Sequence, residues 1–300
     1  MSANLEPMVT IGIPTYNRGD ERLQRVVDAA TNQDWPNLEI LVSDNASTDE
    51  TETLMKSVSD SRVRYIKQEK NIGANANFNF LLQEARGEWF LLFHDDDLID
   101  RDFVSSCLAV AATGDRFGFI RTGVRSINAD GKILKETPNC LSGPTREDFY
   151  FSWFGSKTAT YLCSTLYHTT RLKDVGGFDS LHYLLEDNYA LVKLLDHWDH
   201  GNVTAPKASY RYTYDQRTYN VPVREWCQDF RQLLDMIMTQ SVDDKKRAIW
   251  FAGIRFFRQL CMLRARAVTP GFRRRLAHLS VRRYFGFPKL AYFFAARRNR

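Results

Sequence analysis

Apolar and polar positions come in short alternating blocks over the first hundred residues. Residues 8–13, Met-Val-Thr-Ile-Gly-Ile, form an apolar run stopped by Pro14 and predict a buried strand. Turn chemistry follows in Thr15, Tyr16, Asn17, Arg18, Gly19 and Asp20. Leu23, Val26, Val27 and Ala30 then recur at spacings of three and four, which predicts a helix that Trp35-Pro36-Asn37 breaks. Residues 38–43 predict a second strand, ending in Asp44-Asn45-Ala46-Ser47-Thr48-Asp49. Ser47 or Thr48 is placed to cap the next helix, with Glu50 and Glu52 at its positive end. Residues 62–67 predict a third strand, Asn71-Ile72-Gly73 a turn, and residues 74–85 a third helix. A fourth apolar run, residues 89–93, leads into His94-Asp95-Asp96-Asp97.

Four strand–helix alternations with short connections predict a mostly parallel sheet with helices on both faces, a Rossmann-like α/β fold. Ligands of such sheets sit beyond the carboxyl ends of the strands. Thr15, Tyr16, Asn17, Asp44 and the three aspartates at 95–97 all fall at such ends. Three adjacent carboxylates after an apolar run repel one another. They are either a solvated acidic loop or oxygen ligands for a divalent cation, and the convergence of the three polar clusters favours the cation.

Farther on, the pattern predicts a helix at 103–112, a strand at 117–122, and a hairpin turn at Asn128-Ala129-Asp130-Gly131 leading to residues 132–134. Phe149, Tyr150, Phe151, Trp153 and Phe154 suit either core packing of a short helix or a platform for a sugar face. A strand is expected at 160–166 and a short helix ending at Gly176-Gly177. Glu186 and Asp187 sit in the first turn of a helix, where its dipole alone would favour ionised carboxylates. Another strand at 201–208 precedes Tyr210-Arg211-Tyr212-Thr213-Tyr214. Beyond residue 222 only helical patterns remain.

Composition changes this picture in two places. The five cysteines, 107, 140, 163, 227 and 261, form no Cys-x-x-Cys pair, which argues against a zinc site and for reduced thiols in the cytoplasm. No apolar run is long enough to span a membrane, and the first residues lack a signal-peptide pattern. The net charge of +5 hides an asymmetry. Residues 245–300 carry 16 Lys and Arg and no acid, leaving a net −11 on residues 1–244. Basic side chains interleaved with large aromatics at the C-terminus suit an anionic membrane surface, or a solvated face of packed helices. No nucleic-acid-binding motif accompanies the charge, so no nucleic-acid partner is expected.

Taken together, Ile13-Pro14-Thr15-Tyr16-Asn17-Arg18, Val42-Ser43-Asp44-Asn45-Ala46-Ser47-Thr48-Asp49, Asn71-Ile72-Gly73, Asp95-Asp96-Asp97, Gly176-Gly177-Phe178-Asp179 and Glu186-Asp187 resemble the family 2 glycosyltransferases of GT-A fold. The resemblance runs from about residue 9 to about residue 214. It implies a GT-A domain over 1–220, with a helical, basic C-terminal extension over 221–300. It implies an inverting, metal-dependent transfer of a sugar from a UDP- or other nucleotide-sugar donor to a hydroxyl of a glycan or lipid-linked acceptor, in cell-surface polysaccharide synthesis. The site would be cytoplasmic, on the inner face of the cell membrane. The alternative is a non-catalytic nucleotide-sugar-binding or scaffold protein of the same fold.

Residue by residue, the resemblance implies that Thr15, Tyr16, Asn17, Arg18, Asp44, Asn71, Asn77, Asp95 and Asp96 bind the nucleotide sugar. Asp97 and Asp95 would hold Mg²⁺ or Mn²⁺, and Asp187, with Glu186 beside it, would be the catalytic base. Three positions depart from the family pattern. Asp44 is followed by Asn45-Ala46 rather than Asp-Gly. Asn75 and Asn77 stand where an Arg often helps hold the donor. No His follows Tyr210-Arg211, so Arg211, His94 or His182 is left to serve in its place.

Overall fold

The structure, a computed structural model, describes residues 6–212, 221–268 and 271–286. The chain divides into two compact units, one of Met1–Asp179 with Glu186–Thr213, the other of Ser180–Leu185 with Tyr214–Arg300. The first unit opens with the alternation predicted from sequence: β1 (Val9–Thr15), α1 (Glu21–Thr31), β2 (Leu38–Asp44), α2 (Thr51–Ser57), β3 (Val63–Lys67), α3 (Ala74–Glu84) and β4 (Trp89–Leu92). It continues through β5 (Leu98–Ile99), α4 (Phe103–Ala111), β6 (Phe117–Ile127), β7 (Ile133–Thr137), α5 (Arg146–Phe154), a 3₁₀ turn (Leu162–Ser164), β8 (Thr165–His168), α6 (Thr169–Asp174), α7 (Glu186–Leu195) and β9 (Asp199–Arg211). The second unit holds α8 (Val223–Gln240), α9 (Asp243–Ala267) and α10 (Phe272–Phe285).

Among the described residues, the nine strands join one mixed sheet in the order β3-β2-β1-β4-β8-β6-β9-β5, with β7 paired to β6. Strands β1 to β4 are mutually parallel, β8 runs against both of its neighbours, and β6 and β9 are parallel again. This is the fold expected from sequence, with its antiparallel pairs confined to the later half.

Pro14 does not end β1. It lies inside the strand, opposite Ser43, two residues past Gly12, the last β1 residue paired to β4. The Gly12 carbonyl accepts the Phe93 N–H on the β4 side. Pro14 faces that same side above the end of β4, where no ladder needs its missing N–H. The strand expected at 160–166 starts late for a comparable local reason. The hydroxyls of Ser164 and Thr165 both donate to the Tyr161 carbonyl and tighten that stretch into a 3₁₀ turn before β8 begins.

One face of the sheet buries Ile11, Ile13, Ile40, Val42, Leu91, Ile120 and Leu166 with Leu23, Val26 and Val27 of α1 and Phe103, Val104 and Cys107 of α4. The other face presents Gly12, Phe90, Phe119, Arg121 and Tyr167 towards α3, α5, α6 and α7. In the second unit, Phe230 of α8 stacks on Phe257 of α9 at 4.7 Å, and the Arg264 guanidinium lies 3.6 Å from the Trp226 ring centroid. Ala277, Val281 and Phe285 bury one side of α10, while Phe272, Leu276 and Leu279 are exposed on the other.

Candidate functional site

The loops after β1 and β2 are sewn together where both strands end. Thr15 lies opposite Asp44 in the parallel register. Asn17 adopts a left-handed backbone (φ 52°), tolerable for Asn, which places its N–H against Ser47 Oγ at 2.8 Å and its Oδ1 against the Thr48 N–H at 2.9 Å. The Arg18 and Gly19 N–H groups donate to Thr51 Oγ1 and Asp49 Oδ2. Gly19 passes so close to α2 that a Cβ would lie 2.5 Å from the Glu50 carbonyl carbon, so only Gly fits. Tyr16 is left 47% exposed, with its ring available to a ligand. Asp44 is wholly buried. Its two oxygens accept the Ser47 N–H at 2.8 Å and the Tyr65 hydroxyl at 2.5 Å, and the bond and burial together push the Tyr65 phenol far above its usual range.

The aspartates after β4 split into two groups. Asp95 turns towards β1, accepting the Thr15 hydroxyl at 2.8 Å with Arg18 Nε at 3.6 Å. Burial raises its carboxyl to about 6, against the opposing pull of Arg18. The Asp97 N–H bonds the His94 carbonyl at 3.3 Å, and this turn gathers His94, Asp96 and Asp97 so that one ligand atom of each lies within 4.8 Å of the others. Asp97 accepts the Arg211 N–H at 3.0 Å and a bond from the Cys163 thiol, yet burial and the neighbouring Asp96 hold its carboxyl well above the carboxylate range. Two carboxylates and an imidazole gathered so closely fit a hard or borderline divalent cation such as Mg²⁺ or Mn²⁺. Asp95, expected as a metal ligand, lies outside this trio.

Asp187 stands in the first turn of α7, partly buried. Burial first, then the adjacent Glu186, lifts its carboxyl to about 7, while bonds from the Asn188 N–H and amide and the charge of Arg121 oppose the rise. Its charge acts on Tyr161 and Tyr167, which also feel Cys163, and Cys163 in turn bonds Asp97. The Thr160 hydroxyl donates to Asn188 Oδ1 at 2.8 Å and Cys163 bonds Asp97, so the side chains of residues 160–163 connect the start of α7 to the acids after β4.

Several sequence-predicted residues have other duties here. The Asn77 amide is buried, accepting from the Ser43 hydroxyl at 2.6 Å and donating to the Ser43 carbonyl at 3.1 Å, so it ties α3 to β2 instead of facing the site. Asn71 shapes its own turn, accepting from Asn45 Nδ2 and the Gly73 N–H, but remains exposed at the rim. The Arg211 guanidinium grips the backbone carbonyls of Asp96, Asn128 and Ala129, bracing the acidic turn. His182 lies in the second unit, facing Gln228 Oε1 at 3.1 Å. The aromatics of α5 are core: Phe149 and Tyr150 are fully buried, and Trp153 and Phe154 stack on each other at 5.3 Å.

Sequence reasoning passed over Asn79 and Arg121. Asn79 accepts the Phe178 N–H at 2.9 Å and donates to the Phe178 carbonyl at 2.7 Å, and Asn75 donates to that same carbonyl. Helix α3 thereby holds the Gly-Gly-Phe-Asp stretch leading to Asp187. The repeat of Asn at 75, 77 and 79 was the available signal.

The chain is 32% identical over 133 residues to the GalNAc(5)-diNAcBac-PP-undecaprenol beta-1,3-glucosyltransferase of Campylobacter jejuni, a match covering 43% of this chain and 42% of that protein. The chain spans less than half the length of the curated relatives it matches. In fold it is similar to S. aureus TarS 1–349 in complex with UDP-GlcNAc (TM-score 0.67, 16% identity, 87% of this chain and 76% of that one). It is likewise similar to the mannosyltransferase PcManGT from Pyrobaculum calidifontis in complex with GDP-Man and Mn²⁺ (TM-score 0.58, 17% identity, 89% and 77%). The sequence model of "Glycosyl transferase family 2" matches residues 10–170, more than half of the chain, through β1, β2, the acidic turn and β8, and the protein therefore belongs to glycosyl transferase family 2.

Proposed function

We propose that the protein is an inverting, metal-dependent glycosyltransferase that moves one sugar from a nucleotide-sugar donor to a hydroxyl of a glycan or lipid-linked acceptor in cell-surface polysaccharide synthesis. The observation that carries the reading is Asp187: a carboxyl lifted to about 7 at the start of α7, which residues 160–163 connect to a cation-ready acidic turn at the sheet edge. The named activity of the C. jejuni relative, which concerns an undecaprenol-linked glycan, supports the acceptor class. The ligands named in the two similar structures support a nucleotide-sugar donor.

In this reading residues 1–220 carry the transfer. The exposed Tyr16 ring lies along the base, with Thr15, Asn17, Arg18, Asn71 and the buried Asp44 shaping the same wall. Asp95 faces the ribose, held by Thr15. Asp187 takes the proton of the acceptor hydroxyl, whose oxygen attacks the anomeric carbon. The bond from that carbon to the diphosphate oxygen breaks on the opposite side with its electron pair, which inverts the centre. Glu186 keeps Asp187 basic. A divalent cation held by His94, Asp96 and Asp97 would neutralise the charge growing on the diphosphate.

The basic residues 221–300, helical at α8, α9 and α10, dock the enzyme on the inner, anionic face of the cell membrane. Among the described residues, no helix is long and apolar enough to cross a membrane. The exposed stripe of Phe272, Leu276 and Leu279 with Arg273, Arg275, Arg282 and Arg283 around it supports surface binding. Residues 287–300, part of the basic tail singled out by sequence, lie outside the described residues.

Titration calorimetry with UDP, with and without Mn²⁺, beside a hydrolysis assay across nucleotide sugars, tests the reading. Metal-dependent turnover of one donor supports it. Binding with no turnover of any donor would favour the non-catalytic alternative.

A further inference from the structure

Asp187 is the second residue of α7, in the turn where a helix leaves its backbone N–H groups without intrahelical partners. The Asn188 N–H, one of these groups, donates to Asp187 Oδ1 at 2.7 Å. The Asn188 side-chain amide donates to the same oxygen. Among the described residues, no hydrogen bond falls on the other carboxylate oxygen, Oδ2.

The amide has one way to sit. An ionised carboxylate only accepts, so the NH₂ of Asn188 faces Asp187 and its carbonyl faces away. That carbonyl accepts the Thr160 hydroxyl at 2.8 Å. Thr160, Asn188 and Asp187 therefore form one chain of hydrogen bonds that all point towards the carboxylate. The chain is sheltered and anchored. Asn188 is buried. Next to Thr160, the Tyr161 ring stacks on Tyr210 at 4.0 Å, and the Tyr161 carbonyl accepts the Ser164 and Thr165 hydroxyls at 3.0 Å each. A buried Asn needs partners wherever it lies. This one spends both donors of residue 188 on a single carboxylate oxygen.

We propose that Asn188 is a positioning residue: oriented by Thr160, it holds Oδ1 of Asp187 and leaves Oδ2 to take the proton of the acceptor hydroxyl. The inference rests on the reading of Asp187 as base. As Oδ2 takes that proton, the hydroxyl oxygen bonds the anomeric carbon, and the diphosphate oxygen leaves with the electron pair of the bond that breaks. Hydrogen bonds to Oδ1 favour the ionised carboxylate. They oppose the burial and the Glu186 charge that lift the carboxyl to about 7. The other charged and titratable groups whose fields reach Asp187 are Arg121 of β6, Tyr167 of β8, and Tyr161 ahead of the 3₁₀ turn. Burial holds both phenols neutral. Asn188 is itself uncharged, so a neutral replacement removes a hydrogen bond and leaves each of these charges in place.

The test is a ¹³C-carboxyl NMR titration of Asp-labelled full-length protein, with the Asp187 signal identified by its loss in Asp187→Asn. Asn188→Leu removes the side-chain donor and should raise the Asp187 midpoint by about one unit, the size expected for one hydrogen bond to an ionised carboxylate. Thr160→Val leaves the amide without its orienting partner and should raise the midpoint as well. Thr160→Ser keeps the hydroxyl and should leave the midpoint where it is in wild type. Asn188→Ala serves as a second variant should the Leu variant not fold. An unmoved midpoint in a folded Asn188 variant overturns the proposal, as does a midpoint that moves equally in Thr160→Val and Thr160→Ser. The base reading is judged separately, by whether Asp187→Asn abolishes transfer; if Asp187→Asn is inactive and the midpoint does not move, only the role of Asn188 falls.

Discussion

Thr15, at the end of β1, donates its hydroxyl to Asp95 at 2.8 Å across eighty positions of sequence. That one bond gives three chemically identical aspartates different surroundings. Asp95 is held by Thr15 and faced by Arg18, while Asp96 and Asp97 gather with His94. The sequence alone could not make this division, because the register of three adjacent Asp residues depends on which of them reaches β1.

The division predicts how each position responds to metal. Mn²⁺ at about a hundredfold over its dissociation constant should stabilise the fold by about 2.7 kcal/mol, a shift of several degrees in Tm for a chain of this size. Asp96→Asn and Asp97→Asn should lose most of that shift, and Asp95→Asn should keep it. In EDTA, Asp97→Asn should melt no lower than wild type, since the variant removes a carboxylate that is costly to ionise where it sits. Differential scanning fluorimetry checks all four proteins; equal loss of the Mn²⁺ shift in Asp95→Asn would return Asp95 to the metal.

A base with its proton affinity near neutrality gives transfer a pH signature. As the proposed base Asp187 would work only when ionised, and its carboxyl lies at about 7, so kcat should rise with pH through 7 and level off above about 8. The stability sign is the reverse. A folded-state value raised above 3.8 means that Asp187 favours the fold while protonated, and this contribution is lost as pH climbs from about 4 to about 7. Asp187→Asn should cut kcat by roughly 10²–10⁴ while leaving UDP affinity within about twofold. Steady-state kinetics from pH 5.5 to 9, with calorimetry on the variant, decide it, and a rate that falls through pH 7 as pH rises would exclude an ionised Asp187 as base.

Helix α3 makes a separate prediction. Asn79 bonds both the N–H and the carbonyl of Phe178, and Gly177, at φ 66°, would put a Cβ 2.4 Å from Asn79 Oδ1. Asn79→Ala leaves the Phe178 N–H without its partner and its carbonyl with Asn75 alone, and should cost about 1–3 kcal/mol. Gly177→Ala adds backbone strain to a clash and should cost at least as much. Urea titrations measure both. Because the stretch leads into α7, both variants should also lose more kcat than donor affinity.

The first hundred residues were legible because apolar blocks and turn residues punctuate them at the periods of strand and helix. The strand ends, and so the polar clusters on them, followed from the same reading. What failed to show was whatever depends on partners distant in sequence. Asn77 looks like a ligand residue in the sequence and is buried against Ser43 in the fold. Arg121 lies in an ordinary strand pattern, and only the packing of α5, β8 and β9 around it reveals a charge without a bonding partner. The α5 aromatics suited a sugar platform as well as a core until burial decided for the core.

The last prediction concerns α10. Phe272, Leu276 and Leu279 fall at i, i+4 and i+7, so they form one exposed stripe, and Arg275 and Arg282 flank it on one side. Each basic residue near an anionic bilayer contributes about 1 kcal/mol, so Arg275→Ser with Arg282→Ser should weaken binding to phosphatidylglycerol-containing vesicles by about 2 kcal/mol, some thirtyfold. Leu276→Ser with Leu279→Ser removes the apolar side chains that would insert below the headgroups and should weaken binding even at low salt. Only the arginine contribution should fade as salt shortens the Debye length. Co-sedimentation with anionic and neutral vesicles at two salt concentrations separates the two effects, and binding unchanged in both double variants would assign this face of α10 to solvent.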